Sequence, residues 1–522
     1  MSAADLSALA AAFDLTDSDV EFEGERLGRQ VQRMASRWKA ASTSESDIRR
    51  ALRKLASRHH IDMPSRDGLV QILNRMGDAS WWRRALRKRL RVVEHHAIQR
   101  GAVHRRASPY VSEKSLRRFD ADRRRVAELI AGLELMNAGT GEVLSLEDVV
   151  AASQANPANR RRAMMARIKG VEAAALAKGH EALFLTITAP SRMHARHSVT
   201  GLANERHDGS SPRQVQTYLH GVWRRAMRSL QRDGLAAYGL RTVEPHHDGC
   251  PHWHVLMFAA SDQAEAILAT LRTHALADSP NEPGAQARRF VVERIDPSKG
   301  GAAAYVAKYV SKSIDGEGLD RDNETSETGA NTARRIVAWA RRWGIRQFQF
   351  YGLPPITPMR ELYRLDGEDL ASAGLAAAHT ACKANDYASY LAACEAHDVR
   401  FAVQYVERPS TRYADEVSRA IRGLFARAVD LGAPLELITR TEKWVIQTRK
   451  RELIGADFEP PWTRFNNCAE PMKSMTCEPP DRDDAAGQAR PPGHRKRPLA
   501  RTAKSKPGRP QVERNPREET TC

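Results

Sequence analysis

The strongest constraint on the fold is a pair of strand-like runs that face each other across a tight turn. "YGLRTVEP" and "PHWHVLMFAA" are separated by a short loop containing Asp248-Gly249, a favoured turn pair. An isolated hairpin is at best marginally stable in water, so this one commits the chain to a larger sheet. Alternate side chains of a strand share a face, so His252 and His254 point one way and Trp253 and Val255 the other. With the loop at 247–249, Glu244 stands directly opposite His252 and joins the two histidines.

Two readings of that face are open. In the plainer one, the histidines are satisfied by their neighbours in a sheet. In the other, two imidazoles and a carboxylate grip one ion and leave positions open, as a catalytic site does and a closed structural site does not. Imidazole suits zinc or manganese, whereas phosphate chemistry commonly uses magnesium with few protein ligands. This set fits Mn²⁺ or Mg²⁺ whose shell is completed by a substrate phosphate. His246, His247 and Asp248 are turn residues that either orient the ligands or play no part.

The surroundings of the hairpin support a sheet. "EALFLTITAP" alternates, with Phe184, Thr186 and Thr188 on one side and Leu185 and Ile187 on the other, until Pro190 stops it. "SPRQVQTYLHGVWRRAMRSLQRDGL" has helical period, with Val215, Leu219, Val222 and Ala226 on one face. A helix ("QAEAILATLRTHALA"), a strand ("ARRFVVERID") and another helix ("GGAAAYVAKYVSKSI") follow. The order strand, helix, strand–strand, helix, strand, helix predicts an α+β domain over 176–322, an antiparallel-rich sheet with helices packed on it.

Residues 1–175 read as a basic helical region. In "SWWRRALRKRLRVVEHHAIQRGAV", Trp82, Leu86, Leu90 and Val93 form an apolar stripe, and the Trp81–Trp82 pair reads as packing. "RRFDADRRRVAELIAGLELMNA" is expected to be a helix ending near Asn137, and "NPANRRRAMMARIKGVEAAALAKG" another running toward Gly179. Residues 323–456 read as helical again, and 457–522 as a disordered basic tail rich in Pro and Arg.

Charge narrows the class of partner. Lys and Arg number 82 against 64 Asp and Glu, a net charge of +18. Between Trp81 and Arg125 there are fifteen basic residues and four acids. Such a chain suits a polyanion, because neutralising phosphates releases their counterions. The arginines of the N-terminal helices are compatible with either a solvated or a DNA-facing surface. Six cysteines without CxxC pairing suit reduced thiols. No run approaches eighteen apolar residues, and the N-terminus lacks a basic n-region, so a cytoplasmic protein with no membrane association is expected.

A second constellation is "YVAKYVSK", where Tyr305 and Tyr309 lie one helical turn apart, as do Lys308 and Lys312. A tyrosine hydroxyl, with a free pKa near ~10, needs a nearby cation to react as a nucleophile. Taken alone, the pair reads as core packing with lysines reaching past it. Beside a metal and on a basic chain, it makes phosphoryl transfer on nucleic acid coherent.

The "FLTIT" strand, the HxH strand and the YxxxY helix resemble, in that order, the three motifs of HUH endonucleases. More specifically, the chain resembles the phage replication gene A protein family in "SWWRRALRKRLR", "ANPANRRRAMMARIKGVE", "FLTITAPSRMH", "VEPHHDGCPHWHVLMF", "AAYVAKYVSK" and "WGIRQFQFYGLPP". The resemblance implies an HUH-type antiparallel palm and a rolling-circle initiator that acts on single-stranded and origin DNA. It further implies Tyr305 and Tyr309 as nucleophiles, Lys308 and Lys312 as supporting cations, and His252 and His254 as ligands of Mg²⁺ or Mn²⁺, with Glu244 the third by its position. Host polymerase would extend the freed end. The sequence has no GxxxxGK[ST], so unwinding would fall to a host helicase. A plasmid relaxase, a single-strand transposase, a non-catalytic DNA binder and a hydrolase using water are the competing expectations.

Overall fold

A computed structural model describes residues 3–449 apart from 65–66, 199, 297, 299, 323–326, 367–369 and 411–416. The expected tail at 457–522 lies outside the described residues. The architecture is α+β, as the alternating and helical periods predict.

The centre is a five-stranded sheet in the order Phe290–Arg294, His180–Ile187, Pro251–Ala260, Ala237–Pro245, Phe348–Tyr351. All of its neighbours are antiparallel. The histidine strand, Pro251–Ala260, is therefore the middle strand, and its register places Glu244 opposite His252 as the turn position requires. The turn is closed by the His246 amide donating to the Cys250 carbonyl at 2.7 Å and the Gly249 amide donating to the His246 carbonyl at 2.8 Å.

The two faces of the sheet bury different cores. Leu183, Leu185, Ile187, Trp253, Val255 and Met257 join Val215, Leu219, Val222 and Ala226 of the Pro212–Arg232 helix. Phe184, Leu240, Leu256 and Phe258 pack on the other face with Ile168 and Val171 of Pro157–Ala177 and with Val306 and Val310 of Gly301–Lys312. Trp253 anchors the first core. It is fully buried, donates from its indole N–H to Gln216 at 3.0 Å, and carries the Arg241 guanidinium 3.9 Å from its ring centroid. Trp253→Ala is expected to destabilise the domain by about 3–5 kcal/mol through the cavity it opens. Urea denaturation measures this, and a loss under ~1 kcal/mol would deny Trp253 an anchoring role.

Trp82, Leu86 and Leu90 are buried as the N-terminal stripe predicts, and Trp81 packs edge-on against Trp82 with centroids 4.9 Å apart. Val93 is only half-buried. Glu94 takes the interior position, accepting from the Ser112 amide at 2.8 Å and from the Ser112 hydroxyl at 2.6 Å.

Three expectations are corrected. The helix expected to reach Asn137 ends at Ala131, with Gly132 as its cap, and Leu133–Asn137 is a strand paired with Trp444–Thr448. Leu133 and Leu135 alternate into a small core with Leu146, to which the distant partner adds Trp444 and Ile446. The region 323–456, expected to be helical, is helical only in part. Arg400–Pro409, Val417–Arg427 and Leu435–Ile438 form a three-stranded antiparallel sheet, where alternating apolar residues such as Phe401 and Val403 outweigh helix propensity. The boundary at 322 also falls short, because Phe348–Tyr351 is an edge strand of the central sheet.

Candidate active site

Cross-strand register brings Glu244, His252 and His254 together. One ligand atom from each lies within 4.8 Å of the others, and no other such three-residue cluster exists among the described residues. The Nε2 atoms of His252 and His254 are 3.0 Å apart. Burial first, then the neighbouring cations, holds both imidazoles neutral: His254 falls to about 3 beside Lys312 and Lys308, and His252 lies well below its ordinary value beside His246, His254 and Lys312. A neutral imidazole offers a lone pair, so the donor set fits a divalent cation with an open shell.

Neighbouring residues hold these three side chains in place. Thr186, across the sheet from His254, places its hydroxyl 3.1 Å from His254 Nδ1 and turns Nε2 toward the cluster. Ser313 donates to Glu244 at 3.2 Å. The His246 ring stacks on His252 with centroids 4.0 Å apart. Asp248 ties the turn down, accepting from the Cys250 amide at 3.0 Å and pairing with His194 Nδ1 at 3.2 Å. Burial opposes charge on His194, and Cys250 and Asp248 outweigh it, so its pKa is raised well above the ordinary value. Of the turn residues read as either orienting or idle, His246 contacts His252 and Asp248 braces the turn. His247 sits buried, with no hydrogen-bond partner at Nε2 among the described residues. Thr186→Val is expected to weaken Mn²⁺ binding by about 10–100-fold with the fold intact, as loss of a ligand-orienting bond does. Titration followed by the spin signal of free Mn²⁺ measures this, and unchanged affinity would remove the orienting role.

The tyrosines approach from the helix Gly301–Lys312. Gly300 and Gly301 turn into it with φ of 109° and 72°, values that favour glycine. Glu172 then accepts from the free Ala302 and Ala303 amides, the latter at 3.1 Å, which fixes where the helix begins. Both tyrosine rings pack on Phe184, with centroids at 4.7 Å for Tyr305 and 5.0 Å for Tyr309. Beyond that they differ. Tyr309 stands 4.3 Å from the His254 ring, whereas the Tyr305 hydroxyl donates to Glu293 on the edge strand.

The lysines also part company. Lys308 is exposed, and Lys312 is buried. The Lys312 ammonium lies 3.2 Å from Asp322 and 3.9 Å from Glu244, and the Tyr110 hydroxyl donates to Asp322 at 2.9 Å. Tyr110, Asp322 and Ser313 carry no motif and reach the site only through the fold. Thr186 alone had a signal, since it shares its strand face with Phe184.

The fold thus sets a His–His–Glu cluster beside paired tyrosines within one α+β domain. The chain belongs to the bacteriophage replication gene A protein family, whose model matches residues 7–317. It is 36% identical over 420 residues to the replication gene A protein of Escherichia phage 186, covering 77% of this chain and 60% of that protein. It is 35% identical over 425 residues to the replication protein of Haemophilus phage HP1, covering 76% and 53% respectively. A probable replication endonuclease from a prophage-like region of Salmonella paratyphi A is 36% identical over 424 residues, covering 76% and 52%. The chain thus spans little more than half the length of these relatives. No solved structure matches it. Among the described residues, no helix is long and apolar enough to cross a membrane.

Proposed function

We propose that the chain is a site-specific single-strand DNA endonuclease and joining enzyme of the HUH type, which initiates and terminates rolling-circle replication of phage or prophage DNA. The observation that carries this reading is the Tyr309 ring standing 4.3 Å from the ring of His254, itself one of three clustered ligands. The family, and the printed name "probable replication endonuclease" of one relative, agree with it.

Glu244, His252 and His254 would hold Mg²⁺ or Mn²⁺, which neutralises phosphate charge and favours ionised tyrosine when bound. The tyrosine oxygen forms a bond to phosphorus as the bond from phosphorus to the 3′ oxygen breaks. The phenolic proton leaves to solvent, and the departing oxygen takes up a proton to become a free 3′-hydroxyl. The 5′ end stays on the protein as a phosphotyrosine. Host polymerase extends the 3′ end while a host helicase opens the duplex ahead. The other tyrosine cuts the regenerated origin, and transfer back to the waiting hydroxyl closes a circle.

The two lysines divide the work. Lys308 meets the DNA phosphate, and Lys312 is a positioning cation that holds Glu244 and Asp322 from within. Bacterial or host cytoplasm, where the polymerase and helicase work, is the compartment this reading requires.

The test is incubation of single-stranded origin DNA with the protein and Mn²⁺, followed by a denaturing gel. A DNA-labelled protein band is the expected result. Cleavage without that band would assign the attack to water, and an uncut origin would leave only a DNA binder.

A further inference from the structure

A groove of about 2190 Å³ opens beside the central sheet, walled by the edge strand Phe348–Tyr351, the helices Pro157–Ala177 and Ile356–Leu362, and strands from the C-terminal part of the chain. Eight Lys and Arg line it against three Asp and Glu. One of those acids, Glu361, is already met by Arg440, which donates to its two oxygens at 2.7 and 3.2 Å. By contrast Arg160, Arg346, Arg360 and Lys443 are exposed along the groove, with no carboxylate partner among the described residues. Such an excess of unmatched cations in a concave wall is a binding surface for a polyanion.

The lining also carries rings. Tyr363 is 56% exposed there, and Trp444 lies part-buried at the far wall. Arg167 stacks 3.9 Å over Phe350, presenting a flat cation beside them. Exposed aromatic faces among arginines favour unstacked bases, which a duplex keeps inside its own stack. The groove also connects to the ligand cluster. Gln347 on its wall donates to the Ser313 carbonyl at 3.2 Å, and the Ser313 hydroxyl donates to Glu244. Phe348 pairs in register with Thr242, two residues from Glu244 on the same face of the same strand. The chain's own tail is a poor occupant, because residues 490–509 hold eight basic residues and no acid.

We infer that this groove is the channel that holds the single DNA strand flanking the nick. The inference rests on the reading of a single-strand nicking enzyme and adds where that strand lies.

The test is binding of a fluorescein-labelled oligo(dT) to the full chain by anisotropy, in EDTA and across a salt series. Arg160→Glu combined with Arg360→Glu is expected to weaken binding at least about tenfold and to flatten the salt slope by about 1.4, since each lost single-strand phosphate contact contributes about 0.7. The paired Arg→Lys variant should keep the wild-type affinity. Tyr363→Ala should lose roughly tenfold on single-stranded DNA and leave binding of a hairpin duplex unchanged. If the paired Glu variant fails to fold, the paired Arg→Gln variant reads the same two quantities. Unchanged affinity and slope would overturn the inference, as would equal losses on single strand and duplex. Because no metal is present, cleavage does not enter the readout. A wild-type protein that binds through this groove yet never cuts would overturn the nuclease reading alone.

Discussion

Tyr309→Phe is expected to abolish the covalent DNA–protein product on single-stranded origin DNA, with a rate loss on the order of 10⁴-fold or more, as removal of a nucleophile produces. Tyr305→Phe should still make the first cut. The distinction comes from what each hydroxyl faces. A phenolate forms where positive charge compensates it, and Tyr309 stands beside His254, in the cluster that would hold the divalent cation on the proposed reading. Tyr305 donates to Glu293 on the edge strand, a bond it must release before it can attack phosphorus. In the proposed cycle Tyr305 would make the second cut, once a strand occupies the first tyrosine. The measurement is a denaturing gel of wild type, both single variants and the double variant with Mn²⁺. An adduct that persists in Tyr309→Phe and disappears in Tyr305→Phe would reverse the order. An adduct in the double variant would place the nucleophile elsewhere.

The second large effect concerns the ligands. Replacing His252 and His254 together by Ala is expected to lower cleavage at least ~10³-fold, which corresponds to about 4 kcal/mol of transition-state stabilisation. Mn²⁺ binding should be lost in parallel. Wild-type protein treated with EDTA should stop cutting and recover with excess Mn²⁺ or Mg²⁺. The parallel readout matters because both histidines are largely enclosed, so a misfolded variant would also be inactive. Thermal melting separates the cases: a folded variant that cannot bind Mn²⁺ supports the metal role, and a folded variant that binds it normally refutes the assignment. Leaving one histidine should give an intermediate affinity, because Glu244 remains on the facing strand.

The candidate site was legible in the sequence because its geometry is local. An Asp-Gly turn sets the register of a hairpin, and period two then assigns His252, His254 and Glu244 to one face before any folding is known. Helical period did the same for Tyr305 and Tyr309. What escaped was long-range. Nothing near Lys312 announces that it will be buried against Asp322 and Glu244 rather than solvated beside Lys308. The segment 133–137 looked like a helix end because its strand partner lies far down the chain, with Gln447 reaching Glu134 across 313 positions. The strands after Arg400 alternate in period two, but they follow directly on alanine-rich helices, so composition there favours helix while the period favours strand.

That distant pairing has a consequence for the order in which the protein matures. Leu135 and Leu144 from the first part of the chain and Trp444 from the last both line the basic groove. During synthesis the histidines and tyrosines emerge more than a hundred residues before Trp444. A nascent chain therefore contains the His–His–Glu cluster and both tyrosines while the far wall of the groove is still missing. If the groove holds the strand as inferred, that capacity arises only after Trp444 has been made, later than the histidines and tyrosines.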